Sequence, residues 1–291
     1  MNTAQKSIKY FAYALAYFLA FIIIFSIVAT IAAVVGVIGL VGGSQESPVD
    51  CSGYEKCLSI SLGFSELEIK KGEELGATAE DSRVIIEKDG DKLVIKDNKK
   101  GGIFNRSDRK ITVTVPEDFE FDAVGIGDRA GKIAVEKLTT NEIDLHLGVG
   151  ETVFDYLTVK NRAKIDAGVG RFEIKDGAIK NGDIHLGVGE TKVRSALTGN
   201  SKIDAGIGAV KLDLLLPDSA YAVKVDKGIG RITFNGASAT DGTIYGSGDN
   251  FVDVDGGIGQ IEIDTAEEDP TETKTDVDSA PEAKPETEVN E

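Results

Sequence analysis

Four polar positions invite a chemical reading first. His146, Asp166, His185 and Asp204 recur at steps of 20, 19 and 19 residues, and the two histidines are the only ones in the chain. Imidazole and carboxylate together can ligate a divalent metal or titrate near neutral pH. At this spacing, however, they form a row of single ligands along one outward face, and such a row does not enclose an ion. The expected reading is a surface charge ladder with no metal. The glycine phrases invite a nucleotide reading. GIGDRAG at 125–131 imitates a dinucleotide loop, but such a loop must open a helix whose N-terminus holds the pyrophosphate. The next residues, KIAVE, have a strand pattern instead. GGIGQIEID at 256–264 resembles a calcium-binding β-roll nonapeptide, yet Ile261 stands where that motif needs Asp. There is no Walker loop and no nucleophile elbow, and tryptophan, the usual platform for sugars, is absent. No catalytic residue and no cofactor is therefore assigned, and the chain is read as a non-enzyme.

Cys51 and Cys57 are the only cysteines. Their spacing is not Cys-x-x-Cys, and no further cysteine completes a zinc set. Outside a membrane such a pair reads as a disulfide closing a small loop, with two free thiols as the alternative.

The elements that would carry these residues can be traced from composition. Residues 10–43 hold no charged side chain, which is long enough for a membrane-spanning helix with some tilt. A secretory signal has a shorter apolar core, so an uncleaved anchor is expected. Lys6 and Lys9 precede the run and the next basic residue is Lys56, which puts the N-terminus in the cytoplasm and the rest outside. The formal net charge of −17 excludes nucleic acid as a partner, because phosphate binding needs clustered Lys and Arg. From 266 the composition turns to Glu, Asp, Pro and Thr, a tail that cannot bury a core.

Between anchor and tail a phrase keeps returning: KIDAGVGRFEI at 164–174, DIHLGVGETKV at 183–193, KIDAGIGAVKL at 202–212 and KVDKGIGRITF at 224–234. Aligned on the first residue of each triplet (Arg129, Gly148, Gly168, Gly187, Gly206, Gly228, Gly257), the steps are 19, 20, 19, 19, 22 and 29 residues. A fixed period near twenty marks a stacked repeat. Three positions before the triplet stand Ile126, Leu145, Ile165, Ile184, Ile203, Val225 and Val254. Four positions after it stand Val135, Phe154, Ile174, Val193, Leu212, Phe234 and Ile263. All are apolar, so these two columns are the expected core, with their neighbours alternating outward. Glycine at the corner lets the backbone bend where a side chain would clash.

The outward columns choose the coil length. One phrase per coil sets Asp144 beside Lys164 and Lys164 beside Asp183, whereas two phrases per coil would stack Asp on Asp and Lys on Lys. Opposite charges across strands gain about 0.2–1 kcal/mol per pair and like charges lose it. The one-phrase coil is preferred, although it makes Lys202 meet Lys224 and Glu136 meet Asp155. The stretch 58–116 alternates less regularly and reads as an N-terminal cap.

Taken with ITVTVPEDFEFDAVGIG at 111–127 and TIYGSGDNFVDVDGGIGQIEID at 243–264, these phrases resemble a bacterial family of membrane-anchored or secreted β-strand-repeat proteins, a domain of unknown function that carries an adhesin label. The resemblance covers residues 58–264. It implies a β-helical extracellular domain and brings no catalytic residues; related domains accompany envelope-stress signalling systems.

The expected organisation is therefore a cytoplasmic N-terminus at 1–9, a transmembrane anchor at 10–43, a membrane-proximal segment with the Cys pair at 44–57, a β-solenoid ectodomain at 58–265 and a disordered acidic tail at 266–291. The expected fold class is all-β: a single-chain β-solenoid of two-stranded coils of 19–20 residues, wound right-handed because parallel crossovers prefer that hand, preceded by one transmembrane helix. The expected function is binding or adhesion at the cell surface, with the membrane as one partner through the N-terminal helix and an extracellular protein or cell-envelope polymer as the other. Envelope sensing or regulation of a membrane partner is the alternative, and polysaccharide chemistry the third.

Overall fold

The computed structural model describes residues 49–97 and 110–267. The segments expected at 1–9 and 10–43, residues 44–48 and the tail from 268 lie outside the described residues. Among the described residues no helix is long and apolar enough to cross a membrane. Eighteen strands form one sheet, and the only other regular structure described is two 3-10 turns, Cys51–Gly53 and Asp218–Ala220.

Neighbouring coils lie parallel and in register. Gly150 pairs with Gly170 and Gly170 with Gly189, so successive phrases, 19–20 residues apart, are nearest neighbours in space. Both apolar columns are buried from end to end, none of the fourteen side chains exceeding 6% exposure. At about 1.5–3 kcal/mol for each fully buried aliphatic or Phe side chain, these columns are the main source of stability.

The coil has a third side that the repeat phrase does not announce. Leu138–Thr140, Leu157–Val159, Gly177–Ile179 and Ala196–Leu197 continue the parallel ladder between one phrase and the next. Thr140, Val159, Ile179 and Leu197 point inward there and are buried. The expected two-stranded coil is thus three-sided. At the corner closing it, asparagines tie coil to coil: the Asn181 side-chain amide donates to Asn161 O at 3.0 Å, and Asn200 N donates to Asn181 Oδ1 at 3.1 Å.

The order of coils in space departs from the order in sequence at both ends. The Cys57–Lys71 strand pairs on one side with Lys92–Asp97 and Lys110–Val115, and on the other with Phe121–Val135. It is an inner coil, while the rest of the stretch expected to cap this end, including Lys92–Asp97 and Lys110–Val115, lies outside it. At the far end, Asn250–Asp255 and Ile258–Ala266 slot between the coil Asn200–Pro217 and the coil Tyr221–Phe234. The physical reason is visible in the charge rows. Lys202 and Lys224, expected to face each other, are each paired with Asp253, which lies between them. The other expected conflict is relieved differently: Asp155 takes Lys175 at 2.7 Å, and Glu136 accepts a bond from the Lys71 backbone at 3.0 Å.

A chain that places its first and last coils inside the stack must bridge across them. Pro116 and Pro217 each end the strand before such a crossing, where a missing N–H costs nothing to the ladder. The two outermost coils are then covered by antiparallel strands, Gly76–Ala79 and Val84–Asp89 at one end, Ala237–Ser238 and Thr243–Gly246 at the other. Such covering blunts an edge that would otherwise template further pairing.

Candidate functional site

The corner of each coil is built by two glycine columns. A Cβ on Gly168 would lie 1.9 Å from Gly148 O, and one on Gly187 would lie 1.9 Å from Gly168 O. The second column repeats this: a Cβ on Gly189, whose φ is +142°, would lie 1.9 Å from Gly170 O. Each coil presses its backbone onto the carbonyl of the next, and only hydrogen fits between.

Between these columns stands one residue per coil, and it points to solvent. In spatial order the row runs Phe64, Ala130, Val149, Val169, Val188, Ile207, Ile258, Ile229. Phe64 is 56% exposed, Val149 40%, Ile207 45%, Ile258 49% and Ile229 74%. At about 4.8 Å per step, the seven intervals make a straight apolar row about 34 Å long. Isolated apolar side chains on a surface are ordinary, but a contiguous apolar strip marks an interaction surface. Beneath it lies a cavity of about 40 Å³. Small-molecule sites measure roughly 300–1,000 Å³, so this space is far too small for a substrate.

The residue after the second glycine forms a charged column beside the row: Glu66, Lys132, Glu151, Arg171, Glu190, Ala209, Gln260 and Arg231 in spatial order. Within the chain Glu151 lies 3.6 Å from Lys132 and 3.4 Å from Arg171.

The His/Asp column lies on the other flank. The register sets His146 beside Asp166, Asp166 beside His185 and His185 beside Asp204. His146 Nε2 is 3.0 Å from Asp144 and 3.5 Å from Asp166; His185 Nδ1 is 2.8 Å from Asp204 and its Nε2 3.3 Å from Asp183. The four residues form a line rather than a cage. Past Asp204 the column continues as Asp255 and Asp226, and Asp226, Asp253 and Asp255 come within ligand distance of one another. Two lysines occupy this cluster. Lys202 Nζ lies 2.8 Å from Asp204 and 3.1 Å from Asp255; Lys224 bonds Asp226 and lies 3.2 Å from Asp253. These bonds hold both ammonium groups above the usual lysine range. Desolvation works against the Asp204 carboxylate, yet the hydrogen bonds it receives and the Lys202 and His185 charges keep its pKa below the ordinary value. The cluster is an ion-pair lattice with its counter-charges built in.

GIGDRAG lies within the Phe121–Val135 strand, so the helix a nucleotide loop requires is not there. Cys51 and Cys57 are joined as a disulfide, with Cα atoms 5.5 Å apart. The exposed row itself escaped the reading of the repeat, which treated the triplet as a corner. Its signal was present: in six of the seven aligned triplets the residue between two glycines is Val or Ile.

The features define a class: an all-β, solenoid-like repeat domain with an apolar row along its glycine corner. The chain belongs to the Toastrack DUF4097 family, whose model matches residues 57–281. No curated protein matches it. Among solved structures it is similar to a candidate cell adhesion protein from Clostridium sporogenes, at 16% identity over 75% of this chain and 96% of that one, with a TM-score of 0.29. It is also similar to a candidate adhesin from Bacteroides fragilis, at 13% identity over 69% and 90% of the two chains, with a TM-score of 0.28.

Proposed function

We propose that the protein is a non-catalytic binding protein of the adhesion type. Residues 10–43 hold it in the cell membrane with residues 1–9 in the cytoplasm, and a right-handed solenoid stands outside the cell. One observation carries the binding reading: the uninterrupted apolar row from Phe64 to Ile229, exposed at Phe64, Val149, Ile207, Ile258 and Ile229 and half-buried at Ala130, Val169 and Val188. A folded domain loses free energy by leaving such a strip in water unless something covers it. The Cys51–Cys57 disulfide supports an oxidising compartment. The strip holds no charged rung, so its partner is a protein or an envelope polymer with an apolar face, and not nucleic acid.

The test is photocrosslinking in intact cells from the full-length chain. A photoreactive residue at Val188, on the row, gives an adduct, while one at Lys164, on the flat ion-paired face, gives none. Equal yields from both positions, or none from the row while the fold is intact, would reject the row as the docking surface.

A further inference from the structure

We propose that the partner covering the apolar row is a second copy of this chain, laid antiparallel. The proposal rests on the reading of the row as a docking surface and names its occupant.

Two copies meeting row to row, related by a two-fold axis across the row, bring its ends together. Phe64 then meets Ile229 and Ala130 meets Ile258. Towards the middle Val149 meets Ile207, and Val169 meets Val188 at the axis. The smallest rung is matched to a large one, and the sizes even out along the contact. A parallel arrangement would instead set Ala130 on Ala130 and Phe64 on Phe64, a gap next to a bulge.

The charged column beside the row gives an independent argument. Under the same two-fold it meets itself reversed. Glu66 comes opposite Arg231 and Arg171 opposite Glu190, each contact made twice by symmetry. Lys132 meets Gln260 and Glu151 meets Ala209, so no like charges oppose. One-step slips oppose like charges. Slipping by one step in one direction sets Glu190 on Glu190 and Lys132 on Arg231. Slipping in the other sets Arg171 on Arg171 and Glu151 on Glu190. Self-complementarity is what an isologous interface requires; like-charge juxtaposition suppresses the one-step slips, and a two-step slip, which opposes no like charges, leaves the two end rungs of each row uncovered. All eight residues of this column lie on the surface, Glu151 half-buried and the others exposed.

The size is modest. A strip about 34 Å long and about 15 Å wide buries roughly 500 Å² per copy, or about 1,000 Å² in all, at the lower limit for a specific interface. Two chains anchored in one membrane meet at a raised effective concentration, which suits a contact of this size.

The experiment uses full-length chains in cells. Both native cysteines are tied up in their disulfide, so an introduced thiol is unique. Val149→Cys and Ile207→Cys chains, tagged differently and co-expressed, form a mixed disulfide-linked dimer, and neither variant alone forms one, since like positions lie about three steps, or 14 Å, apart. Dimers from Val149→Cys alone would overturn the antiparallel arrangement. If no dimer forms, the photoreactive residue at Val188 decides further. An adduct with a different macromolecule overturns the second copy and leaves the docking reading standing, whereas no adduct at all overturns both.

Discussion

Replacing Gly189 by alanine tests the close stacking that shapes the corner. The added methyl would lie 1.9 Å from Gly170 O and 2.8 Å from Gly170 C, on a residue with φ of +142°. Contacts below 3.0 Å are essentially never tolerated, so about 1.1 Å must open between two coils held in register on both sides of the corner. The backbone conformation alone costs about 1–3 kcal/mol for a residue with a side chain. Opening the ladder weakens two or so inter-coil hydrogen bonds at about 0.5–1.5 kcal/mol each. The sum is roughly 2–6 kcal/mol, which for a domain of this size lowers Tm by about 4–24 °C. Two controls separate the causes. Gly53 has nothing within 4 Å and an ordinary φ, so Gly53→Ala shifts stability by at most about 0.5 kcal/mol. Gly236 has a φ of +74° but open space, so Gly236→Ala carries the backbone cost alone. Thermal unfolding of the full chain in detergent, monitored by circular dichroism, ranks the three. A Gly189→Ala protein that melts with or above Gly236→Ala would refute the argument that inter-coil contact fixes the glycine columns.

The coil order and the charge rows yield two further outcomes. A Lys202→Cys/Asp253→Cys pair crosslinks readily on mild oxidation, while Lys202→Cys/Lys224→Cys does not, because Asp253 separates the two lysines and doubles their distance to about 9.6 Å; the reverse pattern would restore the sequential order. Lowering the pH below about 4.5 reduces the melting temperature. The Lys211 bond and charge hold Glu262 below its usual 4.5, and Asp204 sits below its usual 3.8, so the unfolded chain takes up protons first and acid favours it. Desolvation and the Glu262 contact push Asp264 the other way, which softens the loss; a melting temperature that rises on acidification would contradict the assignment.

Much of the architecture was legible because strand alternation and coil stacking both leave marks in the chain. Ile165 and Ile174 announce a buried side by parity alone, and Asp144, Lys164 and Asp183 announce their neighbours by sign. The third side of the coil left a weaker mark, since segments such as Leu157–Val159 are three residues long and sit where a turn is expected. The coil order left almost none. Every coil offers the same parallel edge, so nothing local says which edge a given coil joins. The only hints were the Lys202–Lys224 conflict and the prolines at 116 and 217. The apolar row was hidden by its own context, because Val169 and its equivalents sit where the inward parity changes over and belong to neither strand's pattern. In the charged column beside it the alternating signs of Lys132, Glu151, Arg171 and Glu190 are legible in the sequence, but only the coil order puts Glu66 and Arg231 at its two ends.

The inward placement of the first and last coils has a mechanical consequence. A chain pulled from its N-terminal side is loaded at Cys57, in a strand gripped by parallel partners on both sides. Tension there must shear two ladders at once instead of peeling a single edge strand. The same geometry makes the far end intolerant of shortening. Cutting the chain after Gly246 would not trim the tip; it would withdraw a slab from within the stack and leave the Tyr221–Phe234 coil with nothing to rest on. The domain is braced like a stack whose outermost leaves are held by the ones tucked beneath them, and its resistance to force and to proteolytic nibbling is set by inner layers, not by its ends.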